Sequence, residues 1–121
     1  RKVVRRQRRT TVGHSSQLLK GVLDMCLLAL IAEEPSYGYE MVDKLEHRGL
    51  ELVSEGSIYP LLSRLQKKGL IEGYFVESTG GPPRKYYRIA AAGRKQLADW
   101  ETEWERLSHG VKAVLNGGER G

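Results

Sequence analysis

Apolar residues recur with a helical period in four stretches of this 121-residue chain, and two shorter stretches flank a Gly/Pro turn as the strands of a hairpin do. The first helical stretch carries Leu18, Leu19, Val22, Leu23, Met25, Cys26, Leu28, Leu30 and Ile31. These positions wrap most of a helix, which predicts burial by more than one neighbour. Ser15 or Ser16 is placed to cap it, and Pro35 ends it after about Ala32, because proline pushes the preceding residue away from helical angles. The second stretch places Tyr39, Val42 and Leu45 at a spacing of three with Met41 alongside, between a capping Ser36 and a terminating Gly49. The third predicts a helix over Ser57 to Lys68. Its apolar face is Ile58, Leu61, Leu62 and Leu65, and its polar face holds Ser57, Ser63, Arg64 and Lys67. Pro60 falls in the first turn, where a missing amide proton costs little.

Gly69 releases the chain into a predicted hairpin: a strand from Leu70 to Glu77, a turn through Ser78-Thr79-Gly80-Gly81-Pro82-Pro83, and a return through Arg84 to Ile89. Tyr86 and Tyr87 must point to opposite faces of the second strand. The last helix is predicted from Ala91 to Leu115. Leu97, Trp100, Trp104, Leu107, Val111 and Val114 recur along it at alternating intervals of three and four, the seam of helices that pair as coiled coils. An amphipathic helix folded onto its own core gives the same pattern. Two Trp residues one turn apart favour a partner, because so large an apolar surface on a small domain usually meets one. Three helices followed by a hairpin give an α+β, mainly α fold, a winged helix-turn-helix with a C-terminal dimerisation helix. The expected divisions are a flexible basic arm at 1–15, the winged domain at 16–90, the dimerisation helix at 91–115 and a disordered tail at 116–121.

Charge sharpens this picture through its placement. The net charge is +5, yet Arg1, Lys2, Arg5, Arg6, Arg8 and Arg9 supply six positives ahead of the first acid. Without them 14 basic residues stand against 15 acidic ones, so the body of the protein is nearly neutral. Between Ser78 and Gln96 lie Arg84, Lys85, Arg88, Arg94 and Lys95 and no acid, whereas Asp99, Glu101, Glu103 and Glu105 follow at once. A local basic patch of this kind marks a docking face for nucleic acid. The basic arm has three readings: contact with a minor groove or phosphates, non-specific affinity alone, or no role.

One cysteine excludes an internal disulfide. Cys26 reads as a small core residue, with a redox-sensing thiol as the minor alternative. The apolar run Met25 to Ala32 is too short to span a membrane, and the N-terminal residues lack the apolar segment of a signal peptide. His14, His47 and His109 have no metal-ligand spacing, and no catalytic triad, phosphate-cradling glycine loop or paired carboxylates can be assembled. Neither an enzyme nor a cofactor is expected.

A helix with one buried face and one polar face, followed by a basic hairpin, suits major-groove entry with a phosphate-gripping wing. Arg64 is the candidate base reader, since its fork matches guanine O6 and N7. Ser57 and Tyr59 sit at the helix start, where hydroxyls and free amides suit phosphate. Ser63 and Lys67 share the polar face. Arg84 and Lys85 are the wing candidates for phosphate, and edge-strand protection is the plainer reading of Lys85 and Arg88.

Ser54-Glu55-Gly56-Ser57-Ile58-Tyr59-Pro60, Arg64-Leu65 and Gly69-Leu70-Ile71 resemble the PadR family of bacterial transcriptional regulators. So do Gly38-Tyr39-Glu40, the run Gly80 to Arg88, and Ala91-Ala92-Gly93. Several motifs in order, from about Leu18 to Leu115, are far more specific than one. The resemblance is to the short type, with a single helix after the wing. It implies a cytoplasmic, nucleoid-associated bacterial protein that binds double-stranded DNA as a homodimer, most often as a repressor of a pseudo-palindromic operator. Tyr39 joins the DNA-facing set through Gly38-Tyr39-Glu40. The resemblance also puts Trp104 at the dimer interface, where some members stack flat aromatic compounds. Leu97, Trp100, Trp104, Leu107 and Val111 are therefore candidates for the dimer interface or for a small aromatic effector. The rival from another class is a winged-helix protein-interaction module without specific DNA binding, favoured by the near-neutral body.

Overall fold

The computed structural model describes residues 12–51 and 53–117. In chain order they form α1 (Val12–Glu33), β1 (Ser36–Tyr37), α2 (Gly38–His47), α3 (Glu55–Lys67), β2 (Ile71–Ser78), β3 (Gly81–Ile89) and α4 (Ala91–Leu115). The three strands make an antiparallel sheet in the order β1-β3-β2, and the whole is a mainly helical winged helix.

The core is built on α1. Leu23, Leu27, Leu28, Leu30 and Ile31 are buried there against Met41 and Leu45 of α2, Ile58, Leu62 and Leu65 of α3, and Leu70, Ile71 and Tyr87 at the root of the hairpin. That list explains the wrapped apolar pattern of α1, which touches α2, α3, α4 and the sheet. The helix starts at Val12, before the expected cap at Ser15 or Ser16, so residues 12–15 are helical and not part of an arm. Residues 1–11 of that arm, and residues 118–121 of the expected tail, lie outside the described residues, while Asn116 and Gly117 form a turn.

Two expectations for α2 change. Ser36 is not its cap: the residue is fully buried, pairs with Tyr87 in β1, and spends its hydroxyl on the Glu34 carbonyl at 3.1 Å. Lys44 donates to that same hydroxyl at 3.1 Å. Tyr37 takes the cap position, with its N–H donating to the Glu40 carboxylate at 3.3 Å. The buried face of α2 is Gly38, Met41 and Leu45, and Tyr39 is turned outward at 59% exposure. A spacing of three fits two adjacent stripes of a helix, and packing chose the one through Met41. Arg48 then ties the end of α2 to the end of α1 through a bidentate pair with Glu33 at 2.7 and 2.8 Å.

The wing is longer than the turn residues suggested. Thr79 and Gly80 alone connect β2 to β3, and Gly80 adopts a φ of 73° that favours glycine. Pro82 and Pro83 lie inside β3, beyond the reach of β1 and opposite a register shift between Val76 and Ser78. A missing amide donor is tolerated there.

At the foot of the wing, the Ala90 N–H donates to the Leu70 carbonyl at 3.0 Å, and the buried Gly93 of α4 lies directly against that carbonyl. A Cβ at Gly93 would run into the Leu70 oxygen and the Ile89 side chain. Leu97 and Trp100 pack on the core. Past Trp100 the helix leaves it, and Trp104, Leu107, Val111, Val114 and Leu115 stand exposed.

Gly93→Ala is expected to destabilise the fold by about 2 kcal/mol, since backbone meets the new methyl and overpacking of this kind costs ~1–3 kcal/mol. Thermal unfolding by circular dichroism checks this. A melting temperature equal to wild type would show that the wing foot yields to an extra methyl.

Candidate nucleic-acid interface

The first turn of α3 is fixed by reciprocal serine caps. Ser54 accepts from the Ser57 amide at 3.3 Å, and the Ser57 hydroxyl donates back to the Ser54 carbonyl at 2.8 Å. Ser57 therefore shapes the helix start with its own hydroxyl, in the manner of a capping box. Ser63 and Lys67 lie exposed farther along the helix. Tyr59 leans towards the start of α2. Its hydroxyl donates to Glu55 at 3.3 Å, and burial, then the Glu55 carboxylate, push the phenol pKa up. The ring fits because residue 38 is glycine: a Cβ there would lie 2.5 Å from the Tyr59 hydroxyl oxygen.

Strand alternation sends Arg84 and Lys85 to opposite faces of the wing. Lys85 reaches over Gly73 on the face turned to α3, with its ammonium 5.5 Å from the Tyr87 ring centre and 5.9 Å from that of Phe75. Arg84 lies on the outer face, its guanidinium carbon 4.6 Å from the centre of the Tyr37 ring. Where the middle of β3, the start of α2 and the start of α3 meet, an open cleft of about 450 Å³ is lined by Tyr37, Tyr39, Glu55, Tyr59, Arg84 and Lys85, among others. The phenols of Tyr39 and Tyr59 and the two cations supply donors for phosphate oxygens around this cleft, and among its lining residues one carboxylate, Glu55, opposes them.

Arg64 sits apart from this cleft. It lies on the flank of α3 that faces α1, 3.4 Å from the Asp24 carboxylate and about half exposed. The other Asp24 oxygen is buried without a hydrogen-bond partner. Asp24 also lines a smaller cleft of about 240 Å³ between α1 and α4, together with Val22, Met25, Trp100, Glu103 and Trp104. The structure thus brings Tyr39, Tyr59, Arg84 and Lys85 together and puts Arg64 beside the α1–α4 cleft. Leu97 packs inward, while Trp104, Leu107 and Val111 line an uncovered stripe.

Cys26 is half-buried, and burial pushes its thiol pKa up, which disfavours the reactive thiolate. Among the described residues no three His, Cys, Asp or Glu side chains are grouped to hold a metal, and no helix is long and apolar enough to cross a membrane.

Sequence reasoning missed Tyr37, Glu55 and Asp24. The pairs Tyr37–Arg84 and Asp24–Arg64 bring together residues 47 and 40 positions apart, which periodicity cannot connect. Gly38 was visible through its motif, but its reason, room for the Tyr59 hydroxyl, was not.

Residues 27–99 match the model of the family described as transcriptional regulator PadR-like. A crystal structure of a PadR-like transcriptional regulator from Bacillus cereus is similar, with 49% identity and a TM-score of 0.73 over 82% of this chain and 96% of that one. "Uncharacterized protein X" of Lysinibacillus sphaericus is 33% identical over 84% of this chain and 95% of its own length. "Transcriptional regulator YqjI" of Escherichia coli is 30% identical over 77% of this chain, but this chain spans only 44% of it.

Gly38→Ala is expected to displace the Tyr59 hydroxyl and lower affinity for duplex DNA about tenfold, equivalent to ~1.4 kcal/mol. The melting temperature should change far less, because the obstructed atom is the far end of a side chain. Fluorescence anisotropy alongside thermal unfolding separates the two. Unchanged affinity would remove Tyr59 from the interface.

Proposed function

This chain belongs to the PadR-like family of transcriptional regulators, and from that membership we propose that it is a homodimeric repressor of a pseudo-palindromic operator. One observation carries the reading. Tyr39, Tyr59, Arg84 and Lys85 converge on a single open cleft at the start of α3, while the uncovered apolar stripe lies on α4. DNA contact and self-association therefore use different elements. Two copies joined through α4 would present two α3 helices to successive major grooves, about 34 Å apart along the duplex. Tyr39, Ser57, Tyr59, Ser63, Arg64, Lys67, Arg84 and Lys85 form the DNA-facing set. In this set Arg84 and Lys85 hold phosphate, and Arg64 reads a base when it leaves Asp24.

The stripe of Trp104, Leu107 and Val111 is 44%, 57% and 47% exposed. It continues the seam that Leu97 and Trp100 begin on the protomer's own core, so one helix serves both surfaces. The α1–α4 cleft beside it combines two indoles with the carboxylates of Asp24 and Glu103. A small flat aromatic effector carrying a positive charge suits that chemistry. Because Trp104 and Leu107 line both this cleft and the uncovered stripe, occupancy there would alter how two α4 helices pair, and with it the half-site spacing, and so relieve repression. A bacterial cytoplasmic, nucleoid-associated location follows from the same reading.

The test is anisotropy of labelled DNA from upstream of its own gene, at two salt concentrations, with a scrambled duplex as control. Preference for the native fragment that survives the higher salt supports a sequence-specific regulator. Equal binding that vanishes with salt would leave bare electrostatics and favour the interaction-module reading.

Two substitutions extend the test. Trp104→Arg should shift the protein from dimer to monomer in sedimentation velocity and weaken operator binding more than tenfold, since a cation would be buried across the pairing seam. A dimer that survives would place the interface elsewhere. Arg64→Ala should narrow the gap between native and scrambled DNA, each good base contact being worth ~1–3 kcal/mol of discrimination. Equal losses on both duplexes would make Arg64 a non-reader.

A further inference from the structure

The outer face of the wing carries a row of stacked side chains drawn from all three strands. The Arg84 guanidinium lies over the Tyr37 ring at 4.6 Å. Tyr37 meets Tyr86 edge-on, with ring centres 5.2 Å apart. Tyr86 stacks on Tyr74 at 6.0 Å, and the Arg88 guanidinium closes the row over Tyr74 at 4.6 Å. A cation therefore stands at each end of three tyrosines.

The two ends differ in charge balance. Arg88 donates to the Glu72 carboxylate at 3.0 Å. Arg84 forms no ion pair among the described residues. Its guanidinium rests on the Tyr37 ring. Stacking uses the flat face of that group and leaves its N–H edge available, and the N–H edge is the part that binds phosphate oxygens in pairs.

The ring beneath it is held by its own main chain. Tyr37 pairs with Tyr86 in the β1–β3 ladder, and its N–H is taken by the Glu40 carboxylate at 3.3 Å as α2 begins. A residue registered against β3 and tied by its N–H to the first turn of α2 is a firm platform for a long, flexible arginine. We propose that Tyr37 is a positioning residue for DNA binding: its ring holds Arg84 with the N–H edge presented to a backbone phosphate. Tyr37 touches no phosphate itself. It lowers the conformational entropy that Arg84 loses on contact. The proposal rests on the DNA-binding reading of the wing given above.

The experiment measures affinity and its salt dependence by anisotropy for wild type, Arg84→Ala, Tyr37→Leu, Tyr37→Phe and the Arg84→Ala/Tyr37→Leu double variant. The probe is the labelled duplex from upstream of the protein's own gene. Arg84→Ala should weaken binding about fivefold and reduce the salt slope by about one phosphate contact. Tyr37→Leu should weaken binding about threefold and also flatten the slope. Tyr37→Phe keeps the ring and should match wild type. The double variant should be no weaker than Arg84→Ala, because the platform has nothing left to position. Losses that add in the double variant, or a Tyr37→Leu slope equal to wild type, would overturn the proposal. An Arg84→Ala protein that binds like wild type would instead overturn the wing reading itself, and the positioning role with it. If Tyr37→Leu lowers the melting temperature, the unmodified protein still decides the matter by NMR. The Tyr37 ring current should shift the Arg84 side-chain protons upfield in the free protein, and resonances at ordinary positions would refute the stack.

Discussion

Everything exposed on the proposed DNA face is placed by what α3 buries. Ile58, Leu62 and Leu65 are fully withdrawn from water against α1, whose Leu27, Leu28 and Ile31 are equally withdrawn. Burying one such side chain contributes ~1.5–3 kcal/mol, so the helix cannot turn about its axis without forfeiting several. With that rotation fixed, Ser63 and Lys67 must face out, Tyr59 must lean on α2, and Arg64 must lie on the flank towards Asp24. The exposed chemistry is thus decided by the residues that never meet a ligand. The hairpin is held to the same core by Leu70, Ile71 and Tyr87, which sets the wing at one position relative to the helix.

The elements themselves were largely readable from the chain. The last helix runs from Ala91 to Leu115 as its seam indicates, and Tyr86 and Tyr87 divide between the two faces of β3. Boundaries were less readable where one residue type serves two purposes. Ser36 has the chemistry of a cap, yet tertiary pairing with Tyr87 drew it into a strand and Lys44 claimed its hydroxyl. Tyr39 has the apolarity of a core residue, yet Met41 won the buried stripe. Pro82 and Pro83 look like loop residues, but a strand accepts proline where no neighbour asks for its amide. In each case a local preference was genuine and a distant partner outweighed it.

The candidate site was legible by composition and opaque in its pairings. A cation-rich stretch after a Gly/Pro turn announced the wing and offered Arg84 and Lys85 as its phosphate candidates. Strand geometry separates them, giving Arg84 to an aromatic platform and Lys85 to the space over Gly73. The apolar seam of α4 likewise reads as one stripe in sequence and serves two surfaces in space. Leu97 and Trp100 pack against the core of the chain, and the stripe from Trp104 onward does not. A helix that ends its own core midway along its length keeps the second half available.

The tight seat of Gly93 against the Leu70 carbonyl ties the foot of the wing to the start of α4, so that a rotation of either would be carried to the other. The eight residues of β2 from Ile71 to Ser78 are separated by steps of ~3.3 Å, so the tip stands about 23 Å from its root. A roll of α4 by about 5° about that contact would sweep the tip through about 2 Å, more than a hydrogen bond to phosphate can follow. Mechanical gain of this kind turns a small adjustment at a helix seam into lost register at the far end of a hairpin.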